Sequence, residues 1–144
     1  MALISPVTLI IPKFRMPKRQ VSSFRMTFTQ QTDNSGQVTA LPIGGKITMT
    51  LKTLNLGITD MVHWAADKEK TESGTITFQN TTTGIVMKII SFKDAYCVSY
   101  TEKWDDTISN TSLAHTEEIT ISCREIKIDN QELFKNNWDL IIEE

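Results

Sequence analysis

Gly44-Gly45-Lys46 is the first place where residue types suggest chemistry, because a glycine-rich turn ending in lysine can cradle a phosphate. The phosphate-binding loop also needs an earlier glycine, where Ala40 stands, and a hydroxyl after the lysine, where Ile47 stands. The match fails, and the triplet reads as a turn entering a strand. His63 and His115 are far apart, and neither has a cysteine, histidine or carboxylate at metal-ligand spacing. The adjacent acids Asp105-Asp106 and Glu117-Glu118 would point to opposite faces of a strand, so neither pair makes a shared acid/base site. No serine–histidine–acid set stands out. The sequence therefore offers no catalytic residues, no cofactor and no metal site, and an enzyme ranks third among the readings below.

The elements that must carry any other function are mostly strands. In 144 residues there are 20 Thr, 17 Ile and 6 Val against nine Leu, and side chains branched at Cβ suit a pleated surface. Apolar residues make up 40% and charged residues 22%, ordinary for one globular domain, here 1–144. Net charge is −2, but residues 1–32 hold Lys13, Arg15, Lys18, Arg19 and Arg25 with no acid among them. Cys97 and Cys123 lie in strand-like runs without a CxxC pair and read as buried free thiols. The apolar start, Ala2–Ile11, lacks the features of a signal peptide and is too short to span a bilayer. A soluble, cytoplasmically made chain without stable membrane insertion is expected.

Period-two alternation predicts strands at Val7–Ile11, around Phe24–Thr29 and at Ile47–Lys52. Between the last two, Gln31–Gly45 gathers turn chemistry into one long loop. A short helix follows, capped by Thr59, with Ile58, Met61, Val62 and Ala65 at helical spacing and Trp64 beside them. Thr75–Gln79 and a very long run from Ile85 to Trp104 flank a hairpin turn at Thr81–Gly84, with a break near Lys93-Asp94. Tyr96, Val98 and Tyr100 are expected on one face of that run. Thr116–Asp129 is a last long strand whose inward parity switches near Arg124-Glu125, which predicts a bulge or bend. The outline is mainly β: a β-sandwich or barrel of about seven strands with one short flanking α-helix. Segments 1–23, basic, and 131–144, a C-terminal tail, stand apart. Phe24 and Phe28 beside arginines loosely resemble a nucleic-acid-binding strand, but their alternation marks them as core, so no nucleic acid is expected.

The block Ser91-Phe92-Lys93-Asp94-Ala95-Tyr96-Cys97-Val98-Ser99-Tyr100, with Glu102 and Trp104, resembles the centre of the type VI secretion tube proteins of Bacteroidetes, the TssD or Hcp family. Phe28–Asp33 leading to Gly36 and Pro42, then Gly44-Gly45, the Trp64 helix, Ser73–Ile76, Glu118–Ser122 and Asn136-Asn137-Trp138 agree in order, so the likeness spans Phe24–Leu140. In place of a short N-terminal hairpin with an Asp-Gly turn, this chain has the basic, proline-bearing Pro12–Arg19.

The resemblance implies a structural subunit without catalysis, a two-sheet β-barrel with a flanking helix that closes into hexameric rings stacking as a hollow tube. A contractile sheath would expel that tube, a spike protein would tip it, and effector cargo would fill its lumen. The chain would be cytoplasmic before firing, then extracellular or inside a target cell. The alternatives are the tube protein of a related phage-tail-like injection particle and a monomeric β-sandwich binding module. The resemblance places an inter-ring loop at Asp33, Asn34, Gly36, Pro42, Gly44 and Gly45. Tyr96, Tyr100, Trp104 and Trp138, aromatics with polar tips, suit a subunit interface. Lys18 and Arg19 are candidate stacking charges against acids such as Asp105-Asp106 on the opposite ring face. Thr48, Thr50, Thr75, Thr77, Thr120 and Ser122 are candidates to line a wet channel.

Overall fold

The computed structural model describes residues 6–30, 32–38, 43–52, 59–105, 107 and 114–135. Its strands are β1 (Val7–Ile10), β2 (Lys18–Thr29), β3 (Ile43–Lys52), β4 (Glu72–Gln79), β5 (Val86–Trp104), β6 (His115–Ser122), β7 (Glu125–Ile128) and β8 (Gln131–Lys135), with helix α1 at Asp60–Ala66. They pair antiparallel in the order β4-β1-β2-β3-β6-β5-β7-β8, and β4 also pairs with β5, closing six strands into a barrel. Closure removes most of the edges that long strands would otherwise expose. The mainly β fold with one short helix expected from the alternation is the fold observed, its strands forming one closed antiparallel sheet rather than two.

Alternation decides the core. Ile47, Met49, Leu51, Ile119 and Ile121 are fully buried, and Phe92 nearly so, while Phe78 is half-buried against them. On the reverse of the same strands the Thr48 and Thr120 hydroxyls meet at 3.0 Å, and Ser23 bonds Thr50 at 3.1 Å.

The 19-residue β5 keeps an inward face only by changing parity twice. Ile90 and Phe92 point in, Asp94 takes a φ of 51°, and Ala95 and Cys97 then point in. A bulge between Cys97 and Ser99 resets the count, so Tyr100 packs on the core while Val98 is exposed. Tyr96, Val98 and Tyr100 therefore do not share a face, contrary to the simple alternation. Opposite the first break, Cys123-Arg124 separates β6 from β7, one residue before the expected bend, and both strands lie along β5. Arg124 N–H donates to the Lys93 carbonyl at 3.1 Å across this corner.

Three further elements differ from expectation. β2 begins at Lys18, because the proline-bearing segment closes a hairpin that pairs Ile10 with Lys18. The helix has Thr59 at its N-cap without a side-chain cap bond, and it buries Met61 and Trp64 rather than a stripe including Val62. The Trp64 indole N–H donates to the Ala95 carbonyl at 3.1 Å, docking the helix on the β5 bend. The supposed tail starts as β8, turned back by Asp129 and Asn130 at positive φ, which buries Phe134 against Phe28 at 5.1 Å. Gly45 (φ 77°) permits this, since a Cβ there would lie 2.6 Å from the Phe134 ring.

One polar cluster is inside. Arg19 is 4% exposed and Glu117 2%, and the guanidinium binds the Glu117 carboxylate. The Tyr100 hydroxyl donates to the other Glu117 oxygen at 2.5 Å, and the Lys52 carbonyl accepts from Arg19 at 3.4 Å. Burial, then the bond to Glu117, pushes the Tyr100 phenol well above its ordinary range, so it stays a donor. Arg19 is thus not a surface stacking charge. A buried carboxylate at this end of the barrel claims it. Cys97 and Cys123 are buried and not joined in a disulfide, and burial pushes their thiols up to about 11 and about 12.

Ile121→Ala is expected to cost about 2–5 kcal/mol in denaturant unfolding, and an unchanged midpoint would remove this face from the core. Gly45→Ala should destabilise more than Gly36→Ala, whose added Cβ meets nothing within 4 Å. Arg19→Met alone should cost about 3–5 kcal/mol by leaving Glu117 unpaired, and Arg19→Met/Glu117→Leu should recover most of it.

Candidate assembly surfaces

Among the described residues no cluster of three His, Cys, Asp or Glu could hold a metal. His63 is exposed on the helix, whereas His115 is buried and hydrogen-bonds Glu102 across the β5–β6 pair. An open groove beside Thr8, Met16, Lys18 and Lys52 is lined by no acid among the described residues, so its hydroxyl and amines have no carboxylate base beside them. What the strands do build is a sheet with two unfilled sides.

Strands β2, β3, β6 and β5 form a continuous four-stranded sheet. At one margin, β1 pairs only with Lys18–Val21, so β2 from Ser23 to Thr29 has no second strand beside it among the described residues. At the other, β4 reaches no further than Ala95, which leaves β5 from Ser99 to Trp104 paired with β6 alone among the described residues. Two open margins lie on opposite sides of one sheet.

The outer face of that sheet follows from register. Across the strands, Thr27, Lys46, Ser122 and Tyr96 make one row, Arg25, Thr48, Thr120 and Ser99 a second, and Ser23, Thr50, Glu118 and Thr101 a third. Lys52, Thr116 and Lys103 continue the pattern. The face is polar throughout except for Tyr96 and, at the bulge, Val98. Thr48, Thr50, Thr120 and Ser122 sit on it as expected, but Thr75 and Thr77 belong to β4, beyond this sheet. Sequence reading missed the cations here, because Arg25, Lys46, Lys52 and Lys103 come together only once three registers are known.

At one end of β2 the chain makes a small hairpin. Asp33 Oδ1 accepts from the Ser35 N–H (2.9 Å), the Ser35 hydroxyl (2.8 Å) and the Gln37 N–H (3.0 Å), and Thr32 bridges Val38. The Ser35 hydroxyl, then the backbone donors, hold this exposed carboxyl below its usual range. Asp33, Asn34 and Gly36 are exposed at the tip, with Gly36 at φ 87°. Pro42 lies outside the described residues. Gly44 and Gly45 are in β3, and Gly45 is packed under Phe134, so it does not belong to the projecting loop.

The four aromatics separate. Tyr96 faces out and is half-buried, Tyr100 points inward to Glu117, and Trp104 is 62% exposed beside the His115 ring. Trp138 lies outside the described residues. Lys18 is exposed at the opposite end of β2 from Asp33. Asp105, bonded to Ala114 after β5, shares the Lys18 end rather than opposing it, because Lys103 pairs with Thr116 and Thr116 with Lys52.

Residues 6–139 match the family model described as hemolysin coregulated protein Hcp (TssD). Hcp1 from Flavobacterium johnsoniae is similar in structure, with a TM-score of 0.78 at 25% identity over 90% of this chain and 98% of that one. Hcp1 from Salmonella typhimurium gives 0.65 at 14% identity over 85% and 83%. A chain of the sheath–tube complex of an extracellular contractile injection system, PVC, gives 0.54 at 16% over 92% of each. The last two show the fold alone. No curated protein matches by sequence. With nearly its whole length matched and its strands arranged as in these relatives, the chain belongs to the Hcp (TssD) family, the tube proteins of type VI secretion.

Proposed function

We propose that this chain closes into six-membered rings by joining the open β2 margin of one subunit to the open β5 margin of the next, and that the rings stack as the inner tube of a type VI system. The observation that carries the reading is the pair of unfilled margins on opposite sides of one four-stranded sheet. Different patches on opposite sides make a head-to-tail contact, which closes as a ring when the rotation allows. Strand addition satisfies the exposed N–H and C=O groups of both margins together.

In such a ring the polar face of the sheet lines the lumen, and the Asp33 hairpin and the Lys18 end project along opposite directions of the tube axis. The hairpin, with Asp33, Asn34 and Gly36 at its tip, contacts the next ring. Lys18, with exposed Lys13 and Arg15 near it, stands on the facing side as the stacking charge. The exposed Trp104 belongs to the lateral contact. Sheath on the outside, spike at the tip and effector cargo within complete the machine, and the subunit passes from cytoplasm to target on firing without performing catalysis. The likeness to a PVC sheath–tube chain favours, as a second reading, the tube of a free contractile particle.

Light scattering should give a mass about six times the 16.3 kDa of the chain. A clean monomer at high concentration would favour an isolated binding module. Deleting residues 34–38 should leave rings intact and abolish tubes in electron micrographs. Normal tubes from that variant would remove the hairpin from the stacking contact. Because exposed charge pairs contribute only ~0.2–1 kcal/mol and are screened, tubes should shorten into rings as salt rises while rings persist.

A further inference from the structure

The outer face of the β2–β3–β6–β5 sheet carries four cations, Arg25, Lys46, Lys52 and Lys103, against one acid, Glu118. The whole chain has a net charge of −2, so this face is basic within an acidic molecule. Arg25, Lys46 and Lys103 are exposed and Lys52 is half-exposed. None makes an ion pair with a carboxylate among the described residues, and Lys103 acts on Asp105 only through space, the least of the influences on that carboxyl. Each cation stands opposite a hydroxyl residue rather than another cation, so the face is a dispersed positive field complementary to an acidic partner outside the subunit.

We propose that this face is a binding surface for acidic polypeptide segments, and that cargo is retained in the tube through it. The proposal rests on the ring reading for its location in the lumen, but the charge of the face does not. Around the cations stand hydroxyls: Ser23, Thr27, Thr48, Thr50, Thr101, Thr116, Thr120 and Ser122 alternate with them in the rows. Hydroxyls donate to carboxylates and carbonyls, and the near absence of apolar side chains leaves nothing to trap an unfolded core. A single-stranded nucleic acid would need aromatic platforms for its bases. Trp104 lies on the inward side with His115, and Tyr96 alone is aromatic on this face. Lysines and an arginine without stacking partners suit dispersed carboxylates better than bases. Repetition around a ring multiplies individually weak contacts into retention that salt can release.

The test is fluorescence anisotropy with a fluorescein-labelled Glu-Ser repeat peptide, with ring mass read on the same samples. The intact protein should bind, and affinity should fall steeply toward about 1 M salt. The quadruple variant Arg25→Gln/Lys46→Gln/Lys52→Gln/Lys103→Gln should bind at least about tenfold more weakly. Neutralising the exposed Lys135 on β8 instead should change nothing. Glu118→Gln, which keeps every cation, should bind more tightly and serves if the quadruple variant fails to fold. A ring that ignores the peptide overturns the proposal and leaves the ring reading standing. A monomer that binds it supports the face and removes the ring. Tighter binding of an oligothymidine than of the peptide overturns the proposal in favour of nucleic acid.

Discussion

The structure depends on one long strand that closes the sheet on itself. β5 pairs with β4 and β7 along its first half and with β6 along its second, and a strand that long would twist its inward residues away from a single core. The positive φ at Asp94 and the bulge after Cys97 each shift parity by one residue. Between them, the core passes from the Ile90–Phe92 side to the Tyr100 side. The helix is docked at that corner by Trp64, and the β6–β7 break lies opposite it. Without the two irregularities, β4 and β6 could not both find β5, and the barrel would not close.

Much of this was legible because period two survives in most strands. Ile47–Leu51 and Ile119–Cys123 alternate cleanly, and their inward sides are the inward sides observed. The parity switch after Cys123 was visible as a change from odd to even apolar positions. The switch at Val98 was not, since a valine, a serine and two tyrosines suit either side of a strand. β8 was missed for a related reason: Asp129-Asn130 is a two-residue turn without glycine, and Leu133-Phe134 in a polar stretch gives too short an alternation to register.

Site residues divided along the same line. Asp33, Asn34 and Gly36 could be placed at a loop tip because their turn chemistry is local. Arg19 could not be placed, because its partner is 98 residues away and nothing nearby marks it as buried. Whether a cation is a surface charge or half of an interior pair is a question of tertiary register. The same limit hid the basic face, whose four members come from three different antiparallel pairings. Family resemblance supplied the tube, while the two open margins supply a physical reason why a ring can close.

Arg19 and Glu117 also act as a proofreading device for strand alignment. Arg19 reaches past the end of β3 to Glu117 on β6, so the contact exists only when β2, β3 and β6 are all in step. Sliding β6 by one residue would turn Glu117 outward and send Glu118 into the interior without its guanidinium. Threonine-rich strands, with similar side chains repeated along their polar side, are otherwise tolerant of such slippage. A chain that must be made in many identical copies, each with the same margins, gains from a mismatch penalty that rejects misaligned folds before they reach a growing polymer.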